Sequence, residues 1–151
     1  MNHTIKSLKN LEGFESIPYP DPISKAEPFT FGFGFTSITE EEAEYILKKR
    51  VAEITSELNF TFSWFKNLSE LRKMVIVNMR YQLGMYGLSK FKNTLKYIAI
   101  EDYHSASIEM LDSAWYRQMH KLDMIDGKDE ENRAEWLAWI MRNNEYRDRK
   151  I

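Results

Sequence analysis

Two carboxyls and one hydroxyl stand out in residues 11–35, which read LEGFESIPYPDPISKAEPFTFGFGF. Glu12 sits where an opening helix should stop. Residues 4–11 carry Ile5, Leu8 and Leu11 at helical spacing, and Gly13 follows where helices commonly end in a left-handed residue. An ionised carboxylate is disfavoured at the negative end of a helix dipole. A carboxyl kept protonated near neutral pH is what a general acid requires. Taken alone, Glu12 also reads as a surface glutamate at a helix end.

Asp21 lies among Pro18, Pro20 and Pro22. Each proline pushes the residue before it towards extended geometry, so Ile17, Tyr19 and Asp21 are expected in extended chain. The missing N–H groups make this strand an edge. A stiff segment suits a carboxylate that positions a water, although Asp-Pro also opens turns. Residues 29–35 alternate Phe29, Phe31, Phe33 and Phe35 with Thr30, Gly32 and Gly34. That is strand period two, with four rings on one face and a nearly bare face opposite. Glycine within a strand marks close approach of a ligand or another backbone. A sugar chain fits that face beside the Thr30 hydroxyl; a bulged hairpin over a small core fits the same run. Together the three groups suit glycoside hydrolysis, with an acid on one side of the bond and a held water on the other.

The combination resembles the phage lysozymes of glycoside hydrolase family 24. The shared pattern is Glu12-Gly13, then Tyr19-Pro20-Asp21, then Thr30-Phe31-Gly32-Phe33-Gly34. The resemblance implies catalytic roles for Glu12, Asp21 and Thr30, with Gly32 and Gly34 lining the substrate groove. It also implies an α+β, lysozyme-like fold. A small N-terminal β-hairpin lobe (13–38) is joined by a long helix (39–58) to a larger all-helical lobe (1–12 and 59–151), all within one domain. Two departures stand near the site: the loop between Asp21 and Thr30 is longer and carries Pro28, and Phe35 replaces a histidine.

The supporting elements follow. Residues 37–58 read as a long helix, opened by a Thr39–Glu42 capping box with Glu40 and Glu41 in the first turn. Ala43, Ile46, Leu47, Val51, Ile54 and Leu58 form its apolar stripe. Residues 59–67 are aromatic and ambiguous in period. Residues 69–83 are apolar over most of a helical circumference, so this helix is expected to be buried, with Gly84 as its stop. Asn78 and Gln82 share one face and need hydrogen-bond partners there. Two short helices follow at 91–100 and 103–111. Residues 118–131 are polar and read as a surface loop, and 142–151 as a solvated charged tail. The segment from Asn78 to Gly84 and that from Phe91 to Leu95 match the family in order and spacing. The resemblance therefore implies substrate contacts from Tyr81, Gln82 and Thr94. A further match, Asn132-Arg133-Ala134, implies that Arg133 supports Glu12.

Bulk properties narrow the function. The 151 residues carry a formal charge of -2, which offers no electrostatic case for nucleic acid. There is no cysteine, and His3, His104 and His120 lack ligand spacing, so neither a metal nor a cofactor is expected. No stretch approaches the roughly 20 apolar residues that span a bilayer. Residues 1–9 lack the apolar run of a signal peptide. The expectation is a monomeric bacteriophage lysozyme, made in the host cytoplasm. The resemblance implies its substrate, the β-1,4 bond between N-acetylmuramic acid and N-acetylglucosamine in peptidoglycan. Reaching the wall for host-cell lysis then needs separate membrane permeabilisation or delivery on the virion. The rival reading is a non-catalytic peptidoglycan-binding or virion structural module. A wall amidase or endopeptidase is disfavoured by the absence of zinc-ligand or cysteine patterns.

Overall fold

The computed structural model describes residues 5, 7–9, 13–19, 30–33, 35–126 and 131–150, with backbone alone at 30 and 121–126. The chain divides into two compact units, Met1–Lys49 and Arg50–Ile151.

In the first unit, residues 5 and 7–9 are helical. Gly13 has φ +70°, the left-handed geometry expected of it, and its N–H donates to the Lys9 carbonyl at 3.2 Å. Strand β1 (Glu15–Tyr19) pairs antiparallel with β2 (Thr30–Gly32). Glu15 faces Gly32 and Tyr19 faces Thr30, with an irregular register between them. A two-stranded sheet leaves each strand a free edge, which is why Pro18 is tolerated inside β1.

The single strand expected over 29–35 is not formed. The chain turns back after Gly32, and Phe31 and Phe35 exchange both backbone hydrogen bonds at 2.8 Å. Gly32 holds φ +61°, and a Cβ there would stand 2.7 Å from the Phe35 ring. The glycine therefore serves a turn, and the rings pack on one another. Phe31 meets Phe35 edge-on at 6.1 Å, Phe14 meets Phe33 at 5.3 Å, and Lys9 Nζ lies 5.1 Å from the Phe33 centroid.

Helix α1 (Glu40–Thr61) starts and ends later than its spacing implied. Its capping box is formed: Thr39 Oγ1 accepts from the Glu42 N–H at 3.2 Å, and Glu42 Oε2 accepts from the Thr39 N–H at 2.8 Å. The Thr39 backbone bond holds the Glu42 carboxyl below its usual range. The apolar stripe is buried only from Ile54 onward; Ile46, Leu47 and Val51 are exposed. The core of the second unit begins there.

In the second unit, a 3-10 turn (Phe65–Asn67) leads to α2 (Glu70–Ser89), capped by Ser69. Val75, Ile76 and Met79 of α2 are fully buried, as the apolar circumference implied. At Gly84 the backbone leaves helical geometry (φ +70°, ψ 168°), the break expected there, and a second helical stretch runs on to Ser89. Then come α3 (Lys92–Ala99), α4 (Tyr103–Leu111), α5 (Ala114–Asp126) and α6 (Arg133–Asn143). Helix α6 packs against α4, α2 and α5, and its Leu137, Ile140 and Met141 sit in the core with Leu58 and Phe65.

Two polar stretches differ from expectation. Residues 118–126 are helical, not a loop; residues 127–130 lie outside the description. The tail is also tied down in part. Arg147 pairs with Glu131 at 2.7 Å and lies 4.4 Å from the Trp139 ring centroid, while Trp136 Nε1–H donates to the Arg147 carbonyl at 2.8 Å. A guanidinium that stacks on indole is not a solvated charge. Among the described residues no helix is long and apolar enough to cross a membrane.

Candidate functional site

The site residues fall in both units. In the first, Thr30 occupies β2 opposite Tyr19, and Gly32 follows at the turn. Gly13 breaks the chain direction immediately after Glu12. Glu12, Asp21 and Gly34 themselves lie outside the described residues.

In the second unit, Tyr81 lies on α2, half-exposed, and lines an open groove of about 540 Å³ with Arg50, Glu53, Glu57 and Arg80. Glu57 and Arg80 tie α1 to α2, with Oε2 accepting from Arg80 Nε at 2.8 Å and from Nη2 at 2.7 Å. Arg80 and Glu57 were not singled out from sequence; they are 23 residues apart, and no local pattern joins them.

Gln82 is the hub of a part-buried network. Its Oε1 accepts from Trp115 Nε1–H at 3.1 Å, and its Nε2–H reaches Met119 Sδ at 3.5 Å. Trp115 is 3% exposed, and its ring meets Phe91 edge-on at 5.9 Å. Trp115, Phe91 and Thr94 line a second cavity of about 630 Å³, whose rim carries Lys90, Lys92 and Glu109. Thr94 is itself almost wholly buried. Asn93 Nδ2–H donates to Glu109 Oε2 at 3.0 Å across that rim. The structure therefore brings Gln82 and Thr94 to one place, around Trp115, whereas Tyr81 opens onto the other groove.

Arg133 is exposed and is the first residue of α6. The helix start around it is fixed by Asn132 and Glu135, a reciprocal capping box closed at 3.0 Å on both sides. The Tyr116 hydroxyl of α5 donates to Glu135 Oε1 at 3.2 Å. Burial first, then the Glu135 charge, pushes the Tyr116 phenol above its ordinary value. The Asn-x-x-Glu spacing at 132–135 is that of a helix start; no local pattern ties it to Tyr116. Among the described residues no group of three His, Cys, Asp or Glu side chains is gathered as a metal needs.

A short antiparallel hairpin near the N-terminus, a long helix after it and a helical unit beyond define an α+β protein of the lysozyme-like class. Residues 9–132 match the phage lysozyme family, and the chain belongs to it. It is similar to two proteins of Dictyostelium discoideum. "Probable T4-type lysozyme 1" is 38% identical over 84 residues, which cover 54% of this chain and 49% of the relative. "Probable T4-type lysozyme 2" is 37% identical over 86 residues, covering 56% and 51%. The pre-baseplate central spike protein Gp5 of Enterobacteria phage T4 is 29% identical over 86 residues, 54% of this chain and 15% of that protein. The matches to the first two span about half of each relative's length.

Proposed function

We propose that this chain is a muramidase, cleaving the β-1,4 bond between N-acetylmuramic acid and N-acetylglucosamine in peptidoglycan. The observation that carries the reading is the family match over residues 9–132, a span that includes Glu12, Asp21 and Thr30 as the acid, carboxylate and hydroxyl that the chemistry needs.

Glu12 donates a proton to the glycosidic oxygen, and positive charge develops at the departing sugar carbon. Asp21 stays ionised, stabilises that charge and, with Thr30, orients the attacking water. A separation of roughly 6.5–9.5 Å between the two carboxyls leaves room for that water and inverts the anomeric centre. The family resemblance gives Arg133 the part of a support to the acid. Gly34 lets the glycan approach the backbone, whereas Gly32, with the Phe35 ring over its Cβ side, serves the turn. Tyr81 and Thr94 contact substrate, and Gln82 acts there largely by holding Trp115. The protein works as a monomer on the wall, in bacterial lysis, reached after membrane permeabilisation or by delivery on a virion.

The test is Glu12→Gln and Asp21→Asn on purified peptidoglycan, read by clearing and by new reducing ends. Both variants are expected to stay folded; Glu12→Gln abolishes cleavage and Asp21→Asn removes most of the turnover. Full activity in Glu12→Gln would remove the acid from the mechanism. The similarity to a phage spike protein favours one second reading, a wall-binding module of a virion. That reading predicts binding to peptidoglycan with no reducing ends from the unmodified chain.

A further inference from the structure

Four charges stand on the rim of the cavity around Trp115: Lys90, Lys92, Glu109 and Asp112. Two of them are engaged. Lys90 Nζ lies 4.3 Å from the centroid of the Tyr86 ring, and Asp112 Oδ1 lies 3.6 Å from Arg117 Nη1. Glu109, on α4, is half-buried, and among the described residues it accepts only from Asn93 Nδ2–H, at 3.0 Å through Oε2. That donor is neutral, so it aims the carboxylate without cancelling its charge. Lys92 opens α3 and makes no ion pair among the described residues.

Below the rim the cavity changes character. Leu83, Phe91 and Trp115 give it an apolar wall, and Thr94 sets a hydroxyl beside them. Thr94 is 1% exposed, and its side chain makes no hydrogen bond among the described residues. Among those residues the side-chain atom sealed off without a partner is Asn132 Nδ2. The Thr94 oxygen is therefore not sealed off, and it opens into the cavity that it lines. A polar group so deeply placed calls for a partner from outside the chain. The volume of about 630 Å³ is that of a ligand pocket.

We propose that Glu109 makes this cavity selective for a ligand with a free ammonium group: in the wall, a stem peptide whose diamino residue is not cross-linked. The identity of the peptide rests on the muramidase reading above; the selectivity rests on residues of the second unit alone. A stem peptide supplies what these residues lack. Its methyl and methylene groups suit the apolar wall, and its amides suit the Thr94 hydroxyl. Its carboxylates suit Lys92, and its side-chain ammonium suits Glu109.

Cross-linking converts that ammonium into a neutral amide. Glu109 then gives up water on binding without gaining a counter-ion, which is a penalty against the wrong ligand as well as a lost attraction to the right one. The rim is open to water, so the preference is modest, roughly five-fold, and salt weakens it.

The experiment titrates the protein by calorimetry with the tetrapeptide L-alanyl-γ-D-glutamyl-L-lysyl-D-alanine and with its Nε-acetyl form, at low and at high salt. The free amine is expected to bind roughly five-fold more tightly, with the difference shrinking at high salt. Glu109→Gln keeps an acceptor for Asn93 and removes the charge, so it should bind the two peptides alike. Lys92→Gln should weaken both peptides and keep the preference. Equal binding of the two peptides by the unmodified chain, no binding of either at millimolar concentration, or a preference that survives in Glu109→Gln overturns the proposal. The comparison on the unmodified chain needs no variant, so it decides even if Glu109→Gln fails to fold. Reducing ends released from purified peptidoglycan are measured beside it. A preference without reducing ends removes the muramidase reading and leaves the selectivity; reducing ends without a preference remove the selectivity alone.

Discussion

Gln82→Leu separates a structural amide from one that acts on substrate. Gln82 Oε1 accepts the indole N–H of Trp115 at 3.1 Å, and Trp115 is buried to 3% exposure. Leucine is close in size but has no acceptor, so it leaves the N–H of a largely buried ring without its protein partner. An unsatisfied buried donor costs about 1–3 kcal/mol, while the lost contact to Met119 Sδ, at 3.5 Å and to a weak acceptor, adds little. For a chain of this length about 1 kcal/mol moves Tm by roughly 2–4 °C, so Tm should fall by about 2–12 °C. Gln82→Glu keeps an acceptor and should lose less. Trp115→Phe removes the donor; in that background Gln82→Leu should cost about 1 kcal/mol less than in the native chain. Urea unfolding followed by fluorescence and circular dichroism gives the four stabilities. A Gln82→Leu variant as stable as the native chain, or one equally costly with Trp115→Phe, would refute the reasoning. Turnover then tells whether Gln82 has any role beyond Trp115.

Gly84→Ala is expected to destabilise by about 1–3 kcal/mol, because φ +70° with ψ 168° is a conformation only glycine adopts cheaply. No atom lies within 4 Å of the added Cβ, so a stability that is unchanged or raised would mean that the kink straightens at no cost. The Glu131–Arg147 pair predicts a pH dependence. The Arg147 hydrogen bond, opposed by burial, holds the Glu131 carboxyl below its usual range. Its stabilising contribution is therefore complete above the unfolded value of about 4.3 and is lost as pH falls through the lower folded value. Arg147→Gln should weaken the protein at neutral pH and approach the native chain in acid, as read by melting temperature across pH.

Local chemistry wrote several elements plainly. Thr39 and Glu42 fixed the start of α1 because both partners of the box lie within one turn. Gly13 adopted the left-handed residue expected of it, and the apolar circumference of residues 69–83 marked the buried helix. The motifs around Glu12, Asp21 and Thr30 were likewise legible, since each is contiguous, and they carried the family. Periodicity misled at residues 29–35, where alternation of Phe with Gly fits both a strand and a tight hairpin; only the pairing of Phe31 with Phe35 distinguishes them. It misled again at 118–126, where a helix rich in polar residues reads as loop.

What sequence alone determined, then, was which residue types are present and which short-range bonds they make. Tertiary structure decided the rest, because its bonds join residues that share no local pattern. Gln82 meets Trp115 across 33 positions, Arg80 meets Glu57 across 23, and Tyr116 meets Glu135 across 19. Each of those pairs exists only once helices have packed, and each changes what its residue is free to do.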